Sequence, residues 1–208
     1  MVVGDFAQEL ETVVIGSGPG GYVAAIRAAQ LGQKVAIIER DAVGGTCLNV
    51  GCIPTKMFVH PADVALAARE SGKLGLSSQV YRVDWPAIVS RIFDQRIDLI
   101  AEGGEAYRRG PETPNIDVYD QHARFVGERT IRTGDAVISA DQVVIAAGSR
   151  PMIPEQITDS GVTVHTNETI MRLEQQPQSI IIVGGGFIGL EMAENLKHAG
   201  LEVSLVEA

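Results

Sequence analysis

Two hundred and eight residues make one large domain or a domain and a fraction, enough to bury a core. Hydrophobic residues at 45% and charged residues at 21% are globular values and exclude global disorder. Seventeen Lys and Arg against 26 Asp and Glu give a net charge of −9 with no basic run, which argues against nucleic acid or anionic membrane as a partner.

The chain opens on an apolar strand, TVVI, followed by Gly16-Ser17-Gly18-Pro19-Gly20-Gly21 and a helix with a small-residue face at Ala24, Ala25 and Ala28. Gly32 stops that helix, and a second apolar strand ends at Glu39. This strand–turn–helix–strand–acid order is the dinucleotide fingerprint. Gly16 serves the tight turn, Gly18 lets the backbone approach a pyrophosphate, and Gly21 allows close helix–strand packing. The pyrophosphate sits on the helix N-terminus, and Glu39 can accept from a ribose hydroxyl.

The next segment, GGTCLNVGCIPTK over residues 44–56, carries the two cysteines, Cys47 and Cys52. Five residues of regular helix hold two Cα atoms beyond disulfide reach, roughly 4.4–6.8 Å. Gly51 and Pro54 argue instead for a distortion at a helix start, which permits a small-loop disulfide. A helix N-terminus also lowers a thiol pKa. Lys56, four residues after Cys52, shares its helix face. A metal centre would need more ligands, and His60 is the only nearby candidate, so no metal is expected.

Residues 53–69 read as a helix that Pro61 should kink or restart. Asp84 reads as the N-cap of a helix with Ile88, Ile92, Ile97 and Ile100 on or near one face. From Asn115 to Ile138, short β-rich runs (NIDVY, ARFV, TIRT) read as a meander, and 142–146 as a buried strand ending at Gly148. The stretch 149–177, with three prolines, reads as a connection.

Residues 180–207 then repeat the first fingerprint. Subtracting 16 from 184 gives an offset of 168, which holds for Gly16/Gly184, Gly18/Gly186, Gly21/Gly189, Gly32/Gly200 and Glu39/Glu207. Two dinucleotide turns on one chain point to one redox cofactor passing electrons to another. Glu207 favours NAD over NADP, because a carboxylate repels a 2′-phosphate. The strands at 180–183 and 201–206 should be buried on both faces in a complete sheet, and are an edge liability without neighbours. No run reaches membrane-helix length and no charged leader precedes an apolar stretch, so the expected location is the cytoplasm, where thiols stay reduced.

Together, GxGPGG, GGTCLNVGCIPTK, VVIAAGSRP and VGGGFIGLEMA resemble the FAD-dependent pyridine nucleotide–disulfide oxidoreductases, in the dihydrolipoamide dehydrogenase and mycothione reductase branch. The resemblance covers essentially the whole chain. Residues 1–40 look most like a bacterial dihydrolipoamide dehydrogenase, and residues 45–180 look closer to mycothione reductase, a pattern that also suits a mosaic or artificial sequence.

The resemblance implies an α/β fold. Residues 1–150 form a Rossmann-like FAD-binding domain with a parallel sheet and a β-meander, 151–177 a connection, and 178–208 the first βαβ unit of an NAD(P)-binding domain. It implies FAD and NAD(P)H as cofactors and a small disulfide or dithiol as substrate. Gly16, Gly18, Gly21 and Glu39 would hold the ADP half of FAD. Gly45, Thr46 and Lys56 would line the flavin side. Ala123 would offer backbone contacts to the adenine, and Ala147 and Gly148 match the family's ATG motif. Cys52 would face the flavin, Cys47 would attack the substrate disulfide, and Glu191 would pair with Lys56. Gly184, Gly186, Gly189 and Glu207 would begin the nicotinamide-nucleotide site.

The family chains run more than twice this length, form homodimers, and carry a His–Glu acid–base pair and a flavin-binding Gly–Asp motif that these 208 residues do not match. His60, His122, His165 and His198 match none of the family's catalytic positions. The alternative reading is therefore a truncated or artificial FAD-binding fragment without full turnover. A thioredoxin-reductase-like arrangement, with its cysteines in the NAD domain, does not fit cysteines that follow the first Rossmann unit.

Overall fold

In a computed structural model that describes residues 7–80 and 82–207, the first fingerprint folds as its pattern requires. Strand β1 (Gln8–Ile15) leads through the glycine turn into helix α1 (Pro19–Gln30), and β2 (Val35–Ile38) returns parallel to β1, Val13 opposite Ala36. Proline at the first turn costs no bond, since that N–H has no helical partner.

Around this unit grows a six-stranded sheet of order β3-β2-β1-β6-β5-β4, with β3 (Ile116–Tyr119), β4 (Ala123–Gly127), β5 (Thr130–Thr133) and β6 (Ala136–Ile145). The four strands from β3 to β6 are parallel; β5 and β4 join antiparallel. The NIDVY run expected in the meander is instead β3, a parallel strand beside β2, in register Val35 with Ile116. A short run that alternates apolar and polar residues suits a parallel edge as well as a hairpin, and only pairing separates them. One core layer gathers Leu10, Val13, Ile38, Ile131 and Ile138; the other places Val14, Val35 and Ile37 against Ala25 of α1.

The expected buried strand at 142–146 is the second half of β6. It is not fully buried: Gln142 is exposed and Ile145 is 70% exposed. β5 pairs with β6 only over Ala136–Ser139, so beyond that stretch the β6 ladder runs along β1 alone.

The described chain forms two compact units, residues 7–49 with 98–162 and residues 50–80 and 82–97 with 163–207. The sheet belongs to the first. In the second, helix α3 (Cys52–Glu70) packs against α7 (Phe187–His198). Helix α4 (Trp85–Ile92) supplies Trp85, which meets Phe58 of α3 with ring centroids 5.4 Å apart. β7 (Ser179–Val183) and β8 (Glu202–Val206) are the parallel pair of the second fingerprint. They leave Ile181 at 69% and Val183 at 66% exposure, where a strand in a covered sheet would be buried. Glu155–Thr158 (α6) is a single turn within the expected connection, in which Ile170 and Met171 are buried.

Pro61 does not break α3, which runs unbroken through it. The lost donor would orphan the carbonyl of Met57, and Arg91 Nη2 donates to that oxygen at 3.3 Å. Asp84 does cap α4, accepting from the Ala87 N–H at 3.2 Å. The helix then departs from the expected isoleucine face. A π-helical turn over Phe93–Ile97 precedes α5 (Asp98–Arg109), so Ile92, Phe93, Ile97 and Ala101 are buried while Ile100 is 52% exposed. One π turn inserts a residue and rotates the face.

Ile138 is fully buried and Ile181 is mostly exposed. Ile138→Ala should lower unfolding stability by about 2–5 kcal/mol in urea titration, and Ile181→Ala by less than about 0.5 kcal/mol. The Ala87 N–H and then the Arg82 guanidinium hold the Asp84 carboxyl below its ordinary value. A depressed folded-state pKa stabilises above the unfolded value and is lost as pH falls through it. Protection from amide exchange at the start of α4, relative to the intrinsic rate at each pH, should therefore fall below about pH 4, the unperturbed aspartate pKa, and Asp84→Asn should blunt that dependence.

Candidate functional site

The first glycine turn is built by exclusion. Gly16 has φ +98°, a conformation that side chains resist, and an added Cβ would lie 2.2 Å from the Ala146 carbonyl oxygen. At Gly21 an added Cβ would lie 1.9 Å from the Gly16 carbonyl oxygen. Gly18, the N-cap, has extended backbone, and an added Cβ there would meet nothing nearer than Gly45 Cα at 4.0 Å. No side chain caps α1 and its first turn holds no acidic residue, so neither a cap bond nor a carboxylate of the helix itself occupies the N–H groups at that end.

Glu39 is held where the fingerprint places it. Its Oε2 accepts from the Ser17 N–H at 2.9 Å and the Ser17 hydroxyl at 2.8 Å, and its Oε1 accepts from the Asp41 N–H at 3.0 Å. A carboxylate has about four acceptor positions, so capacity for a ribose hydroxyl remains.

The second turn repeats these contacts. Gly184 has φ +111°, an added Cβ at Gly189 would lie 2.0 Å from the Gly184 carbonyl oxygen, and one at Gly186, the N-cap of α7, would meet nothing within 4 Å. Glu207 accepts from the Gly185 N–H, the position equivalent to Ser17.

Helix α2 (Gly45–Asn49) carries Cys47 and ends before Val50; Gly51, at φ −142° and ψ −117°, breaks the chain direction, and Cys52 begins α3. The expected distortion at Gly51 is therefore present. Both cysteines are thiols, Cys47 half-buried and Cys52 exposed. Asn49 Nδ2 donates to the carbonyls of Val43 and Gly45 at 3.1 and 3.0 Å and folds the loop onto α2. The Thr55 hydroxyl donates to the Gly51 carbonyl at 2.7 Å and secures the start of α3. Lys56 Nζ pairs with Glu191 Oε1 of α7, with the lysine 69% and the glutamate 31% exposed.

Among the expected residues, Gly16, Gly18, Gly21, Glu39 and Gly45 come together at one end of the sheet. An added Cβ at Gly45, where φ is +58°, would lie 2.8 Å from Gly18 Cα. Ala147 lies beside Gly16, and Gly148, at φ +69°, follows it in the open. Thr46 is exposed on α2. Ala123 opens β4, three strands from β1 and on the order of 14 Å away at the usual strand spacing. Gly184, Gly186, Gly189 and Glu207 form the second turn.

Ser17 and Asn49 were not legible as site residues. Ser17 occupies a free position of the glycine pattern, and Asn49 acts through its own loop's carbonyls, which no spacing reports. Among the described residues no three His, Cys, Asp or Glu side chains gather as a metal-ligand group, and no helix is long and apolar enough to cross a membrane.

Two sheets, each with a parallel strand pair joined through an uncapped glycine turn and closed by a strand-end glutamate, define a dinucleotide-binding fold that occurs twice in the chain. The open space at Gly18 and the uncapped α1 fit a dinucleotide pyrophosphate. The chain belongs to the pyridine nucleotide-disulphide oxidoreductases, a family of FAD-dependent enzymes acting on sulfur groups, which it matches over residues 10–208. It is 47% identical over 202 residues to mycothione reductase of Mycobacterium tuberculosis, covering 94% of this chain and 43% of that protein. It is 37% identical over 215 residues to dihydrolipoyl dehydrogenase of Bacillus subtilis, covering 97% and 44%. Among solved structures it is similar to the HOCl-induced flavoprotein disulfide reductase RclA of Escherichia coli, with TM-score 0.79, 28% identity, and 94% of this chain against 41% of that one. The chain thus spans under half the length of these relatives.

Gly21→Ala and Gly18→Ala should part company. The first drives a methyl into the Gly16 carbonyl and should cost several kcal/mol of stability, on the order of 3. The second meets open space and should leave the thermal midpoint within about 2 °C while occupying the place a pyrophosphate must approach.

Proposed function

We propose that this chain is the FAD- and thiol-bearing part of an NAD(P)H-dependent disulfide reductase working through Cys47 and Cys52. The supporting observation is the conjunction of two open dinucleotide turns with a cysteine on each side of the helix break at Gly51. On this reading residues 1–150 form the FAD-binding domain, 151–177 a connection and 178–208 the start of the NAD(P)-binding domain. The substrate is a small disulfide; the greater identity to mycothione reductase favours a mycothiol-type disulfide over lipoamide. A homodimer belongs to the same reading for the complete enzyme.

The residues divide the work. The α1 N-terminus at Gly18 would receive the pyrophosphate and Glu39 the ribose of FAD, with Gly45 and Thr46 beside them, Ala123 toward the adenine, and Ala147 and Gly148 in the adjoining loop. Gly184, Gly186, Gly189 and Glu207 would do the same for NAD(P)H. Bound FAD would supply hydride acceptance from NAD(P)H and two-electron delivery to a disulfide.

The Cys47 thiolate would attack one substrate sulfur, forming a mixed disulfide and releasing the other sulfur as a thiol. The Cys52 thiolate would then attack the Cys47 sulfur, releasing the second thiol and closing a Cys47–Cys52 disulfide. Two electrons and a proton from NAD(P)H, with one proton from solvent, reopen it. Lys56, fixed by Glu191 at its terminal nitrogen, would hold a positive charge on the helix that Cys52 begins.

Anaerobic addition of two electrons to the FAD-loaded chain tests this. Starting from the oxidised Cys47–Cys52 disulfide, the expected signal is a long-wavelength band between the Cys52 thiolate and oxidised flavin; Cys52→Ser lacks it, and Cys47→Ser, which has no disulfide to open, shows it before any electrons are added. Absence of the band, with Cys52→Ser spectrally silent, overturns the reading.

A further inference from the structure

Resting on that reading, we propose that Ser17 is a positioning residue that ties the nucleotide-binding carboxylate of Glu39 to the loop carrying Cys47, so that occupancy of the first turn sets the placement of that thiol. Ser17 is 2% exposed. Its hydroxyl has one proton, which goes to Glu39 Oε2 at 2.8 Å, leaving its lone pairs to accept from the Gly44 N–H at 3.3 Å. The result is a chain of bonds from Gly44 through Ser17 to Glu39.

The loop at the far end of this chain has little freedom of its own. Gly44 sits at φ +100°, and an added Cβ there would lie 2.4 Å from the Leu48 side chain. Gly45 lies against Gly18, backbone to backbone. Asn49 ties the carbonyls of Val43 and Gly45 back onto α2. Cys47 lies between these anchors, so a shift of Gly44 is carried to it. A ligand hydroxyl that bonds the open position on Glu39 Oε1 re-aims the carboxylate whose other oxygen, Oε2, orients Ser17, and Ser17 passes the change to Gly44.

The second turn supplies an internal comparison. Gly185 replaces Ser17 there and keeps the backbone N–H to the Glu207 carboxylate, but has no hydroxyl. The backbone bond to the strand-end glutamate thus recurs without a side chain, whereas the onward tie exists only in the turn that precedes the cysteines. The same comparison says that glycine at position 17 is compatible with the turn.

The test uses ADP, which carries the adenosine and pyrophosphate groups without a flavin, in the full chain bearing Gly186→Val. An added Cβ at Gly186 meets nothing within 4 Å, so the larger side chain has room there and should keep ADP off the second turn. Iodoacetamide labelling of Cys47 is followed by mass spectrometry with and without ADP, and ADP affinity is measured by calorimetry. ADP should change the Cys47 labelling rate in the Ser17 chain by about tenfold, the scale of one hydrogen bond to a charged acceptor. Ser17→Gly should bind ADP and lose that response, and Ser17→Thr, which keeps the hydroxyl, should restore it. An equal response in Ser17→Gly, no response in the Ser17 chain despite binding, or no rescue by threonine overturns the positioning role and leaves the nucleotide reading intact. Failure of ADP to bind the Ser17 chain overturns the nucleotide reading and the coupling with it.

Discussion

The carbonyl oxygen of Gly16 occupies the space in which any side chain at position 21 would begin. This one contact, repeated between Gly184 and Gly189, brings each helix down onto its strand and aims its uncapped N-terminus past the strand end. If the helix stood farther off, the amides of its first turn would no longer converge where the backbone at Gly18 leaves room for a ligand. The strand-end glutamates complete the arrangement, each bonded to the second residue of its turn. The chain carries the same solution twice, 168 residues apart.

Between the two turns the structure departs from regularity where the chemistry needs it. Gly51 ends the run from α2 and lets Cys52 start a new helix, so the two thiols are not fixed by the spacing of a single helix. Elsewhere irregularity is absorbed by partners: Arg91 takes the carbonyl that Pro61 abandons, and α3 continues. The Lys56–Glu191 pair joins α3 to α7, but both ends reach solvent, so its contribution is a placed charge more than stability.

Much of this is legible in the sequence. The glycines, Glu39 and Glu207 follow from a pattern whose sterics are local, and Asp84 announced its helix because capping involves three neighbouring residues. The departures from pattern share a cause. NIDVY became a parallel edge strand, residues 142–145 stayed half-covered, and Ile100 turned outward after a π turn. Each depends on which neighbour a segment meets, and a short apolar run does not name its neighbour.

The sequence by itself determined where backbone must bend or approach closely, because glycine, proline and capping residues act over a few positions. It also determined family membership, because several such motifs stand in one order. Tertiary structure alone decided that Ser17 is buried and shared between Glu39 and Gly44, that Asn49 folds its loop onto α2, and that Arg91 supports Pro61. Those roles depend on hydrogen-bond partners that only folding brings within reach. A serine, an asparagine or an arginine has too many possible partners for its identity to name the one it finds.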